Sequence, residues 1–270
     1  MSVPRVGEAG AANAAAYDAQ AQEVLARHPF LDEFAVQLQG ALPGTNVDAE
    51  KVLCYDEARA ILHRRALFIA QAGGDTAAGL AAFEAQHWSP RRQAFEDLWQ
   101  DGRRFVYFAP NPGTLGALKY GDYCLIADPA TLEQADTAVF PSDTAQTYTN
   151  EMAIVDGTLA YQEVGGWPAR SEVALVHHGD RALSLSPAER AELVCGADTY
   201  MEVVTVGPLR LEQVAILRVN SDLWEEHDDL WWQWKDNLLT DPGDLAKAKA
   251  YGALLGWEAR GMDIIEDDGA

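Results

Sequence analysis

Tyr200-Met201-Glu202-Val203-Val204-Thr205-Val206-Gly207-Pro208-Leu209, continuing as Arg210-Leu211-Glu212-Gln213-Val214-Ala215-Ile216-Leu217-Arg218-Val219, is the stretch whose reading decides the fold. β-Branched residues on both sides of a Gly-Pro pair read as strand, turn and strand. One acidic side chain, Glu202, stands inside the first strand. Strands alternate faces, so Glu202 either points to solvent beside Val203, with Thr205 in the opposite register, or faces a site that needs a carboxylate.

Around that stretch the composition is that of a globular protein. The 270 residues, 48% of them hydrophobic and 8 of them Trp, are enough to bury a substantial core as one large or two small domains. The 42 acidic against 20 basic residues give a net charge of -22. That balance excludes sequence-independent binding to DNA, RNA or anionic membranes, because neutralising phosphate needs clustered Lys and Arg. A basic partner suits it better. The 15 Arg against 5 Lys, with abundant Ala, point to a GC-rich coding genome.

Cys54, Cys124 and Cys195 are far apart and odd in number, with no Cys-x-x-Cys or Cys-His spacing. They support neither a zinc site nor a disulfide framework, and read as reduced core residues; no metal is expected. The N-terminus lacks a basic-then-apolar signal pattern, and no apolar run approaches the roughly 18 residues of a spanning helix. The expectation is a cytoplasmic protein, or one delivered into a target cell if it is a toxin.

Residues 1–102 read as a helical N-terminal region. The first ten, small and polar, are expected to be disordered, and an Ala-rich helix follows over 12–27. Val52, Leu53, Ile61, Leu62, Phe68 and Ile69 recur at helical spacing after the caps Asn46 and Asp48, and Gly73-Gly74 supplies a stop. Helices over 76–86 and 90–101 complete the region, the second capped by Ser89 with Pro90 in its first turn.

The character changes at Arg103-Arg104-Phe105-Val106-Tyr107-Phe108, a strand ended by Pro110-Asn111-Pro112-Gly113. Further strands are expected over 123–127, 152–155, 159–164, 172–177, 200–206 and 213–219, joined mostly by loops too short for helical crossovers. Residues 103–220 are therefore read as a β-rich, mainly antiparallel domain. Residues 221–270 read as a C-terminal helical element packed on it. Ser221 caps a helix whose apolar stripe holds Trp224, Leu230, Trp231 and Trp234, and Asp241-Pro242 opens another ending near Gly256. The fold class is α+β.

Several motifs carry little. His28-Pro29-Phe30-Leu31-Asp32 opens like the AMP-transfer motif of Fic proteins, but Glu33-Phe34-Ala35 replace the glycines and arginine of its anion loop. His177-His178, read on a strand, would face opposite sides and share no metal. His63-Arg64-Arg65 reads as a solvated helix face, and Asn111 to Gly116 lacks the Lys of a phosphate loop.

A more coherent series runs Arg103 or Arg104, Tyr107, Ser142-Asp143-Thr144 with Tyr148 beyond it, and finally Glu202. This order resembles the Arg, Ser-x-Ser/Thr, Glu succession of the ADP-ribosyltransferases, split β-sandwich enzymes that bind NAD in a cleft between two small sheets. Phe108 to Ile126, with Leu118-Lys119-Tyr120-Gly121-Asp122-Tyr123, is similar to their first strand, connecting helix and return. Tyr200 to Val219 resembles the glutamate strand and Gly-Pro hairpin of an uncharacterised actinobacterial family near that superfamily. The resemblance covers about residues 103–220. It implies a toxin or effector that uses NAD as substrate to modify a macromolecule. Glu202 would hold a ribose hydroxyl, Ser142 or Thr144 would orient Glu202, Arg103 or Arg104 would anchor the diphosphate, and Tyr107 or Tyr148 would stack on nicotinamide. Two departures stand out: the first strand has no His-Gly-Thr triplet, and Tyr200 sits where arginine-modifying members carry Glu or Gln. The alternative reading is a non-enzymatic acidic interaction protein, of the immunity, antitoxin or phage-accessory kind, that holds a basic partner with its charge and its Trp-rich helix.

Overall fold

The computed structural model describes residues 3–134, 136–196 and 198–267. Its strands are β1 (Leu42–Val47), β2 (Ala60–Ile61), β3 (Phe105–Asn111), β4 (Tyr123–Ala127), β5 (Thr137–Phe140), β6 (Gly165–Gly166), β7 (Glu202–Val206), β8 (Leu209–Arg210), β9 (Val214–Asn220) and β10 (Asp263–Asp267). Eight of them form one sheet in the order β10-β9-β4-β1-β3-β7-β5-β6, while β2 and β8 pair in a small ribbon of their own. Neighbouring strands run antiparallel except β10 and β9, which are parallel. The α+β class with a mainly antiparallel centre thus holds. The eight strands are hydrogen-bonded into a continuous sheet, where two small sheets were expected.

Two cores flank this sheet because its strands alternate. Val106 and Phe108 of β3, Val139 of β5 and Val203 of β7 enter the larger core with the helices Asp32–Gln39 and Arg170–Ala182. Phe105 of β3, Ala138 and Phe140 of β5 and Val204 of β7 enter a smaller, aromatic one with Phe95, Trp99 and Tyr148. Glu202 shares the parity of Val204 and therefore belongs to the second face.

The N-terminal region is not a helical unit apart. Leu42-Pro43-Gly44-Thr45-Asn46-Val47 reads poorly as a strand because of its Pro and Gly, yet it lies between β4 and β3. Pro43 faces Pro110 across the β1/β3 ladder, and pairing with β4 begins only at Gly44, so neither missing N–H interrupts a bond. Asn46 is accordingly a strand residue, and Asp48 alone caps the helix Ala49–Ala58 by accepting from Lys51 N. The expected run to Gly73 is broken at Arg59, whose φ of 54° ends that helix, and β2 intervenes before His63 caps Arg64–Gln71. Of the first ten residues, expected to be disordered, Val6 to Gly10 lie on the helix Val6–Ala12, where Val6 is fully buried; Met1 and Ser2 lie outside the described residues. Gly10 lets that helix approach β6, where an added Cβ would come within 2.6 Å of the Gly165 backbone.

Other expectations fail for periodicity. Residues 159–164 fall in the helix Gly157–Glu163, and 172–177 in Arg170–Ala182, whose Val173, Ala174, His178 and Ala182 share one buried face. Residues 152–155 form a turn in which Asn150 Oδ1 accepts from the N–H groups of Met152 and Ile154. The Gly-Pro pair, a cis peptide, leads into β8 and not into a hairpin: β3, β1 and β4 separate β7 from β9. Near the end, Asn220 and not Ser221 caps the Trp-rich helix Ser221–Lys235, which buries Trp224, His227 and Leu230 and leaves Trp232 61% exposed. Trp231 packs over Gly252 of the helix Pro242–Glu258. β10 then adds a strand that the sequence reading left out.

Candidate functional site

Glu202 opens β7 and is 2% exposed, which removes the solvent-facing alternative. A carboxylate at that depth has to be paired and hydrogen-bonded. Its partners come from two helices remote in sequence. Arg92, buried on the helix Ser89–Glu96, donates from Nη1 to Oε2 at 3.0 Å and from Nη2 to Oε1 at 3.1 Å, a bidentate contact. Thr144, the first residue of the helix Thr144–Thr147, donates its N–H to Oε2 at 2.9 Å and its hydroxyl to the same oxygen. Oε2 is thus fully engaged. Oε1 has Arg92 as its one donor among the described residues and keeps acceptor capacity.

Arg92 in turn is held by its surroundings. Its guanidinium lies 4.2 Å from the centroid of the Tyr107 ring, and Nη2 is 3.5 Å from Asp143 Oδ1. Burial opposes its charge, but Glu202, Tyr107 and Asp143 outweigh burial and hold its proton more firmly than in an ordinary arginine. Asp143 caps the Thr144–Thr147 helix by accepting from the N–H groups of Ala145 and Gln146. Burial would raise the Asp143 carboxyl, yet Arg92, the Tyr200 phenol and those amides bring it below the usual range. One guanidinium therefore serves two carboxylates, and the cluster as a whole keeps a negative charge.

These groups border an open cleft. Its floor comes from β3 and β1, including Tyr107 and Thr45, and Glu202 and Tyr200 stand at its side. The Tyr107 hydroxyl donates to Glu96 Oε1 at 2.9 Å, and burial, with Glu96, keeps that phenol protonated. Ala117 and Tyr120, from the segment between β3 and β4, also line the cleft. Asn46 Nδ2 holds that segment by donating to the carbonyls of Leu115 and Gly121. The Tyr120 carbonyl accepts from Lys51 Nζ at 3.3 Å, and the Tyr120 and Tyr200 hydroxyls lie 3.1 Å apart. Tyr200 continues the chain of bonds to Asp143 Oδ2 at 2.5 Å.

The cleft presents a fixed carboxylate and aromatic rings, and no activated nucleophile. Burial pushes the Cys124 thiol up to about 12 and raises Cys195 as well, so neither is a thiolate near neutral pH. No histidine lines it among the described residues. His177 and His178 lie on the helix Arg170–Ala182, where His177 Nε2 is 3.0 Å from the Tyr17 hydroxyl and His178 Nε2 donates to the Pro141 carbonyl. His63 is a helix cap and not part of a solvated face.

Of the residues singled out from sequence, the fold brings Glu202, Thr144 and Tyr107 together. Ser142 is half-buried and bonds Thr147, and is not among the described donors to Glu202. Arg103 is exposed and paired with Asp97; Arg104 is exposed and bonds the Gly207 carbonyl. Neither lines the cleft, although the next residue, Phe105, does: Asp97 and the Gly207 carbonyl hold their guanidinium groups elsewhere. Tyr148 is closed inside the aromatic core against Phe95 and Phe140, with its hydroxyl on Glu163. Arg92 and Asp143 were not anticipated as site residues. The signal for Arg92 was present: it stands three residues before Phe95 and seven before Trp99, on the stripe that this helix buries. Comparison of the chain with protein-family models, curated proteins and solved structures finds no match.

Proposed function

We propose that the cleft binds NAD and that the chain is an ADP-ribosyltransferase-like enzyme of toxin or effector type, acting on a macromolecular target. The observation that carries the reading is Glu202: a buried carboxylate, locked by Arg92 and Thr144, with an open acceptor position on Oε1 at the side of the cleft. In the reaction Oε1 accepts a hydrogen bond from a ribose hydroxyl. The bond from the anomeric carbon to nicotinamide breaks, nicotinamide leaves with the electron pair, and the positive charge left on the ribose is stabilised by the net negative cluster of Glu202, Asp143 and Arg92. A nucleophile of the target, or water, then bonds that carbon and gives up its proton. Tyr107, Tyr120 and Tyr200 supply aromatic surface for planar rings.

Incubation with NAD, following nicotinamide release with and without cell lysate as a source of target, tests this. The wild type releases nicotinamide, and Glu202→Gln, which keeps shape and loses charge, is slower by about 10²–10³-fold. Equal background release by both, with and without lysate, overturns the reading. The alternative, an acidic protein that holds a basic partner, has one observation of its own: Trp232, on the acidic helix Ser221–Lys235, and Leu238, just beyond it, are 61% and 66% exposed. In that case binding of the partner falls on Trp232→Ala and is indifferent to Glu202→Gln.

A further inference from the structure

The cleft carries a second set of polar side chains, and these are donors. Lys51 and Tyr55 lie four residues apart, on one face of the helix Ala49–Ala58, and Arg64 begins the helix Arg64–Gln71; all three line the cleft. The Tyr55 hydroxyl makes no hydrogen bond among the described residues. Lys51 pairs with Asp48 at 2.7 Å. Arg64 differs from both. Its guanidinium lies 4.9 Å from the Trp88 ring centroid and 5.2 Å from that of Tyr107, its buried Nε has no partner, and no carboxylate of the described residues pairs with it. The adjacent Arg65 has already taken Glu96, at 2.5 Å. Aromatic faces orient a guanidinium without cancelling its charge. In a chain with 42 acidic residues, an arginine left uncompensated at a cleft wall is poised for an anion from outside.

We infer that Arg64, with the Tyr55 hydroxyl and Lys51, forms the anion subsite of this cleft and takes a phosphate or diphosphate ester. The planar fork of Arg64 matches two phosphate oxygens at once. The inference rests on the nucleotide reading for the identity of the rest of the ligand, and it moves the anchoring role expected of Arg103 or Arg104 to a residue inside the cleft.

Calorimetric titration of the full chain with inorganic pyrophosphate, ADP-ribose and adenosine tests it. The wild type binds pyrophosphate, and pyrophosphate competes with ADP-ribose. Arg64→Gln weakens both by about 10- to 100-fold, the loss of a charge-assisted contact, and leaves adenosine unmoved. Arg103→Gln, outside the cleft, changes none of the three. Tyr55→Phe retains the ring and loses several-fold in pyrophosphate affinity, which supports the subsite should Arg64→Gln melt early. Absence of pyrophosphate binding by the wild type, or equal binding by Arg64→Gln, overturns the inference. Arg64-dependent pyrophosphate binding without nicotinamide release overturns the transferase reading and keeps the subsite; nicotinamide release at unchanged NAD affinity in Arg64→Gln does the reverse.

Discussion

Replacing Arg92 by Met removes the cation from the site while filling most of its volume. Arg92 is 3% exposed and gives two hydrogen bonds to Glu202, at 3.0 and 3.1 Å, and one to Thr144 Oγ1 at 2.6 Å. The variant keeps the Glu202 carboxylate buried with Thr144 as its remaining partner and leaves Asp143 without its counter-charge. Breaking a buried pair from one side costs about 3–5 kcal/mol, mostly for the charge left behind. For a chain of this size that lowers Tm by on the order of 10 °C. Removing both charges, as Arg92→Met with Glu202→Leu, recovers more than half of the loss, because apolar groups of similar volume replace a pair whose desolvation offset much of its attraction. Urea unfolding of the four proteins of this double-mutant cycle, followed by near-ultraviolet circular dichroism, reads both quantities. A loss below about 1 kcal/mol for Arg92→Met, the value of a solvated surface pair, or strict additivity in the double variant, would refute a dry, interlocked Arg92–Glu202 pair.

Acid sensitivity follows from His178. Burial, the largest cause, holds its imidazole at about 4, down from 6.5, and its buried Nδ1 has no partner. Between those values the unfolded chain binds the proton and the folded one does not, so stability present above pH 6.5 falls as pH drops toward 4, by about 3 kcal/mol at most; His178→Gln flattens that part of a stability profile. Gly10→Ala sets a methyl 2.6 Å from the Gly165 backbone and costs about 1–3 kcal/mol by pushing the first helix off β6; a melting temperature equal to wild type would show that contact to be loose. On the Trp-rich helix, Trp224→Ala costs about 3–5 kcal/mol from a buried position. Trp232→Ala stays within about 0.5 kcal/mol, and chemical denaturation separates the two.

How far the fold was legible depended on whether a segment's local pattern agreed with its final surroundings. β3, β4, β7 and β9 are runs of branched and aromatic residues and were read from them. β1 was not, since Pro43 and Gly44 argue against a strand until Pro110 and the late start of β4 pairing are known. The helix Arg170–Ala182 reads as a strand from sequence because Val173, Leu175 and Val176 mask the period visible in its buried residues. At the site, Glu202 and Thr144 were accessible as residue types in order along the chain. Arg92 belongs to a helix 110 residues from Glu202, and only tertiary packing reveals which of Arg64, Arg92, Arg103 and Arg104 turns inward. Arg103 and Arg104 stand next to a strand that lines the cleft, but adjacency in sequence says little about where a side chain is held: Asp97 and the Gly207 carbonyl take these two.

Whether Glu202 Oε1 offers its free acceptor position to a ribose hydroxyl is read from a crystal structure of the Glu202→Gln variant with NAD, since the variant keeps the shape of the side chain and slows turnover. Density is expected in the cleft with a hydroxyl of the nicotinamide ribose at hydrogen-bond distance from the residue-202 carboxamide, at the atom that replaces Oε1, and a phosphate at Arg64. NAD bound elsewhere, or a cleft that stays empty at saturating NAD, would contradict it.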